Sequence, residues 1–240
     1  SGAEEYQMPP LGGTRSRAYT VSKIPNLDGF SKHIMSQSYR GQFLIAAKQL
    51  RDPNFFKTVI LMLEHNQHGA MGLVVNRPSS VTVSQVLSEH FELPETGEVV
   101  HMGGPVEPGN LFILHNADDL DFSESPPVEG VFVGCTQDVF RSVVQAVSEG
   151  DEEARFRVFS GCAGWSPKQL EGEINRGDWL LLPASPEYVF SKEPYEVWDE
   201  LMRVFQQAHQ HIVRSISNVR CIHKQIIIGR KTGRFASAVK

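Results

Sequence analysis

Glu64 and His65 stand side by side, and a carboxylate next to an imidazole is a pair that general acid–base chemistry uses. Neighbours on a strand point to opposite faces, so the two could share a pocket only if the strand ends between them. Ser166 and Cys162 are candidate nucleophiles, and His65 or His115 could act as the base, which would make a hydrolase or transferase. The pentad Gly-x-Ser-x-Gly is absent, so no nucleophile elbow is expected. His65, His68, His101 and His115 are scattered, without HExxH or a Cys/His pair of zinc spacing, so no metal is expected. Arg77 could hold a carboxylate bidentately or close an internal salt bridge, and Asn76 could satisfy local backbone groups. Gly103-Gly104-Pro105 lets the backbone turn tightly or approach another group closely. Neither GxGxxG nor GxxxxGK[ST] occurs, so no nucleotide cofactor, and no cofactor of any kind, is expected.

The elements that must position these residues are legible in part. Apolar runs Thr58 to Leu63 and Met71 to Val75 flank a polar, Gly-containing link and read as a buried hairpin. Its tips carry Glu64, His65 and Asn66 at one exit and Asn76 and Arg77 at the other. Strands are also expected at Phe43–Ala47, Val99–Met102, Leu111–His115, Val131–Gly134, Trp179–Leu182 and, at the edge, Gln225–Ile228. Arg155-Phe156-Arg157-Val158-Phe159 alternates and predicts a strand with one wet face. Thr82 and Gln85 form a capping box at the start of a short helix, with Val81 and Val86 at the staple positions. Asp138 to Ser148 is a second helix. Gly164-Trp165-Ser166-Pro167-Lys168-Gln169 predicts a third, with Ser166 as N-cap, Pro167 in the first position and Gln169 closing the box. A ligand anion at that N-terminus is the competing reading of Gly164, Trp165 and Ser166. The longest helix is expected from Pro194 to about His211, burying Tyr195, Trp198, Leu201, Met202 and Phe205.

Composition narrows the partner. Residues 41–208 carry 11 bases against 25 acids, and an acidic body repels phosphate backbones. From His209 onward there are seven Lys/Arg and no acid, so nucleic acid could be held only through 212–240. No apolar stretch approaches the ~20 residues of a membrane helix, and no secretory signal is visible, so no membrane partner is expected. Three cysteines without a CxxC pair fit a reducing cytoplasm, with Cys135 and Cys162 expected as buried free thiols.

In order along the chain, Phe43-Leu44-Ile45-Ala46, Asp52-Pro53-Asn54-Phe55, Glu64-His65-Asn66 with Gly69-Ala70-Met71-Gly72, Asn76-Arg77-Pro78, Gly103-Gly104-Pro105, Ile113-Leu114-His115 and Gly164-Trp165-Ser166-Pro167-Lys168-Gln169-Leu170-Glu171 together resemble the AlgH/YqgE family of bacterial proteins. The resemblance implies an α+β fold with a bifurcated mixed or antiparallel sheet curled into a pseudo-barrel, flanked by several helices, in a cytoplasmic protein. That family is labelled as transcriptional regulators and brings no agreed catalytic residues. The domains expected are an extension over 1–40, a body over 41–211 and a basic tail over 212–240.

The residues expected to bind are Glu64, His65, Asn66, Asn76, Arg77, Gly103, Gly104, His115, Gly164, Trp165 and Ser166. The favoured function is a non-enzymatic regulatory protein that binds a small molecule or a protein partner. The alternatives are a nucleic-acid-associated transcriptional regulator using the basic tail, and a hydrolase or transferase.

Overall fold

A computed structural model describes residues 38–88, 97–117, 125–148 and 154–210. The expectations for the extension up to residue 37, the Gln225–Ile228 strand and the basic tail lie outside these residues. The fold is α+β. Its strands are β1 (Gln42–Ala46), β2 (Val59–Asn66), β3 (Gly69–Val74), β4 (Pro78–Thr82), β5 (Val99–Met102), β6 (Val106–His115), β7 (Phe132–Gly134), β8 (Phe156–Trp165) and β9 (Trp179–Pro183). The helices are α1 (Val83–Leu87), α2 (Gln137–Ser148), α3 (Gln169–Arg176), α4 (Pro186–Val189) and α5 (197–210).

The mixed sheet runs β4-β5-β8-β3-β2-β1-β9, with β6 pairing both β8 and β7. Only the β5/β8 pair is parallel. Among the described residues the path ends at β4 and β9, so the ladder does not close into a barrel. It branches instead at β8, which serves three partners. Phe159 and Ser160 pair with β5 and β6 at once, so those two strands flank β8 on opposite edges. Only residues 103–105 join β5 to β6, and this link must therefore cross the β8 backbone. A Cβ on Gly104, whose φ is 156°, would overlap the Cys162–Ala163 peptide. The Gly-Gly pair is thus a crossing point.

Three apolar clusters hold the sheet. Val59, Leu61 and Leu63 enter one with Phe43, Phe159, Trp198 and Leu201, while Ile60 and Met62 enter another with Trp165, Leu170 and Trp179. A strand covered on both faces reads as a continuous apolar run, which is why Val59–Leu63 does not alternate. The third packs α1 and α2 on β5, β6 and β8 through Leu87, Val100, Val139, Phe140 and Val158.

Several local expectations need correcting. β8 is ten residues long and Arg157 is buried, so the stretch Phe156–Phe159 has no wet face; strands on both edges and clusters on both sides close it. α3 begins at Gln169, and its N-cap is Lys168 at φ 65°, with no side-chain cap. Ser166 and Pro167 form a turn ahead of it. α5 begins at 197, which leaves Tyr195 74% exposed, outside the expected core stripe. Val81 is also exposed, so the staple around Thr82 does not form, although the Thr82/Gln85 capping box does. Cys162 is buried but Cys135 is exposed; neither is in a disulfide.

Candidate functional site

The eleven expected binding residues divide into separate places. Asn76 sits at one end of β2, where its Oδ1 accepts from the Val59 N–H at 2.8 Å and its Nδ2 donates to the Lys57 carbonyl at 2.9 Å. His65 sits six residues further along, about 20 Å at ~3.3 Å per strand residue. Arg77, next to Asn76, donates to the carbonyls of Asn54 (2.6 Å), Pro53 (3.1 Å) and Phe56 (3.2 Å). It clasps the Asp52-Pro53-Asn54 turn rather than a carboxylate. Gly103 and Gly104 lie at the β8 crossing. His115 is buried at the end of β6, stacked on Phe132 at 5.6 Å between ring centroids.

His65, Asn66, Trp165 and Ser166 do meet at one end of the hairpin, whereas Glu64 and Gly164, both opposite Met71, lie on the other face. His65 lies opposite Ala70, and Ala70 lies opposite Trp165, so the three share one face across β2, β3 and β8. Gly69, at φ 139°, presses the hairpin end against the Trp165 carbonyl, where any Cβ would overlap. The Tyr39 N–H donates to His65 Nδ1 at 3.1 Å. That bond leaves the proton on Nε2, which donates to Glu171 Oε1 at 3.2 Å. The Tyr39 ring packs on the imidazole at 4.6 Å, and the Ser38 hydroxyl donates to the His65 carbonyl at 3.0 Å. Burial, then the Glu171 carboxylate, push the Tyr39 phenol above its ordinary range.

Beneath this lies an aromatic layer. The indole N–H groups of Trp165 and Trp179 both donate to Glu173 Oε2 at 2.8 Å, and Gln169 Nε2 donates to Oε1 at 3.0 Å. The Ser166 N–H donates to Gln169 Oε1 at 3.1 Å. Asn66, His68, Gly164 and Ser166 are exposed.

Neither a Glu64–His65 acid–base pair nor a Cys162–His65 pair forms at this corner. Glu64 pairs with Met71 and His65 with Ala70, so the two side chains point to opposite faces. Cys162 faces the cluster that holds Phe159, while Ala163 and Trp165 face the one on the His65 side. Burial, then Glu107, push the Cys162 thiol up, away from thiolate character.

Sequence reasoning missed Tyr39, Glu171 and Glu173, although two tryptophans flanking a Gln-x-Glu-x-Glu run needed an acceptor for their indole protons. It also missed a second polar pair. His101 on β5 lies opposite Phe159 on β8, and Arg157, two residues earlier, shares that face. Arg157 Nη1 donates to the Val75 carbonyl at 3.4 Å and Nη2 donates to the Ser191 carbonyl. His101 Nδ1 donates to the Val99 carbonyl at 3.3 Å, and its buried Nε2 has no partner among the described residues. Burial, then the Arg157 charge, lower the His101 pKa to about 4, against the bond to Val99. Burial lowers the Arg157 pKa too, and the Glu98 charge opposes it. A sequence signal existed: Arg157 is the only charged residue in the run from Phe156 to Trp165.

The AlgH-like family model matches residues 43–210. A UPF0301 protein of Sinorhizobium medicae is 38% identical over 173 residues, covering 68% of this chain and 84% of that protein. One from Methylococcus capsulatus is 39% identical over 166 residues, covering 68% and 89%. The solution structure of AlgH from Pseudomonas aeruginosa superposes with a TM-score of 0.58 at 31% identity, covering 71% of this chain and 90% of that one. A crystal structure of a Corynebacterium diphtheriae protein gives 0.57 at 26% identity, covering 68% and 85%. Among the described residues no helix is long and apolar enough to cross a membrane.

Proposed function

This chain belongs to the AlgH-like family, and from that premise and the His65 corner we propose that it is a non-enzymatic binding protein with a regulatory role. The partner is a small molecule or another protein. The observation that carries this reading is the convergence on His65 of groups far apart in sequence. Tyr39 and Glu171 hold its ring from two sides. A side chain locked by its neighbours loses little freedom when a partner arrives, which favours binding. On this reading the body spans 41–211, its branched sheet curls into a pseudo-barrel, and the protein works in the cytoplasm.

Native mass spectrometry of the full chain tests it. The expected result is a retained small-molecule or protein mass that His65→Phe and Glu171→Ala both release. A bare chain at every concentration, or an adduct indifferent to both substitutions, would sink the corner as a binding site.

The basic tail supports a second reading, a nucleic-acid-associated transcriptional regulator. Seven Lys/Arg without an acid from His209 onward are the observation that favours it. It requires salt-dependent nucleic-acid binding that vanishes when 212–240 are removed; binding that survives the deletion excludes the tail.

A further inference from the structure

We propose that His101 and Arg157 form an internal site for a small oxyanion that still carries a proton donor, the anion resting on the guanidinium and its O–H donating to His101 Nε2. Hydrogen phosphate and a 2-hydroxy carboxylate are the two simplest ligands of that chemistry. The site is separate from the His65 corner, since His101 pairs with Pro78, at the end of the hairpin where Asn76 and Arg77 lie.

The argument starts from what each side chain lacks. Arg157 is 8% exposed; burial works against its charge more strongly than the Glu98 carboxylate supports it. A buried cation is costly unless an anion and hydrogen bonds compensate it. The guanidinium has five N–H donors, and among the described residues it makes two hydrogen bonds, both to backbone carbonyls. A carbonyl dipole compensates a cation less than a full negative charge does.

His101 is 3% exposed. The Val99 carbonyl can only accept, so Nδ1 carries the imidazole proton and Nε2 presents a bare lone pair. A buried acceptor without a donor is an unmade hydrogen bond. Burial keeps the ring neutral at physiological pH, so Nε2 remains an acceptor there.

The two deficits share one face of the sheet. Neighbouring strands about 4.8 Å apart and a two-residue offset of about 6.6 Å place the two Cα atoms about 8 Å apart. Long side chains from those positions can reach one small ligand. The ligand must supply negative charge to one and a proton to the other. A metal ion would be repelled by Arg157, and a fully deprotonated oxyanion would bring a second acceptor to face Nε2. Val75 and Ser191, which contact Arg157, limit the ligand to a few atoms.

Two matched pairs of ions test this on the full chain at constant ionic strength near pH 7.5. Phosphate and sulfate have similar shape, but only hydrogen phosphate keeps an O–H. Glycolate and acetate differ by the hydroxyl. Affinity is read from the shift of the thermal unfolding midpoint with concentration, and the contact from the ¹⁵N resonance of His101 Nε2. The proton-bearing member of at least one pair is expected to bind at least about tenfold tighter than its partner, because a site built around a hydrogen bond rejects the analogue lacking it. Its binding should move the Nε2 resonance. His101→Phe keeps an aromatic ring against Phe159 and should erase the difference within the pair. Arg157→Lys keeps the charge and should weaken both members. Which pair discriminates identifies phosphate or carboxylate as the ligand. Equal affinities within both pairs would overturn the proposal, as would a preference that persists in His101→Phe.

Discussion

The His65 corner and the His101–Arg157 pair are both polar clusters where strands meet, yet they treat their hydrogen bonds oppositely. At the corner both imidazole nitrogens have partners, and Glu173 takes three donors. At the inner pair a buried nitrogen has none among the described residues, and the hydrogen bonds seen from the buried cation go to backbone carbonyls. A half-exposed group that lacks a partner can still use water, so a satisfied corner contributes little beyond orientation. A buried group cannot, and there the same deficit becomes a stability cost or a requirement for a ligand. Both imidazoles are largely shielded, 11% exposed for His65 and 3% for His101, so the partners that neighbouring segments supply separate the two histidines.

Substitutions can break or sharpen that contrast. Arg157→Ala should cost the most, about 4 kcal/mol in urea unfolding, because it opens a cavity and strands two buried carbonyls. A loss under about 1 kcal/mol would mean that water reaches this site.

Acid should act next, through His101. Its folded pKa of about 4 lies below the ordinary 6.5, so the unfolded chain binds the proton first. Stability from the neutral ring is therefore complete above pH 6.5 and falls as pH drops toward 4, by about 3 kcal/mol. Urea midpoints measured from pH 7.5 to 4.5 should show this decline, and His101→Phe should flatten it.

Glu173→Ala should cost about 2 kcal/mol, since two indole N–H groups lose their acceptor at once. Tryptophan fluorescence under urea would report it, and a loss near zero would mean that water replaces the carboxylate. The smallest effect belongs to Glu171→Ala, about 0.5 kcal/mol, because its oxygen is accessible and water can substitute. Its main consequence should be a freer His65 ring, visible as faster acylation of His65 by diethyl pyrocarbonate.

Much of the local structure was legible from the chain alone. The unbroken run Val59–Leu63 marked a strand covered on both faces, and Thr82 with Gln85 marked the start of α1. Both are local signals, carried by burial and by hydrogen bonds within one turn. Gly103-Gly104 announced a close backbone approach, but only the β5 and β6 pairings revealed β8 as the strand being crossed. Ser166-Pro167 met every local rule for a helix start, yet the helix begins at Gln169, with Lys168 left-handed. The Gln169 half of the box does form, its Oε1 accepting from the Ser166 N–H while its Nε2 donates to Glu173, but no side chain caps the helix.

The sequence by itself determined most strands though not β4 or the full length of β6 and β8, the short helix cap, the acidic body and the family, because each follows from patterns spanning a few residues or from their order. Tertiary structure alone decided which polar residues meet. Tyr39, His65 and Glu171 come from three distant segments, and Arg157 is dry because strands and clusters close around it. Burial is a property of the assembled sheet, and it fixes whether a given histidine is satisfied, neutral or in need of a ligand.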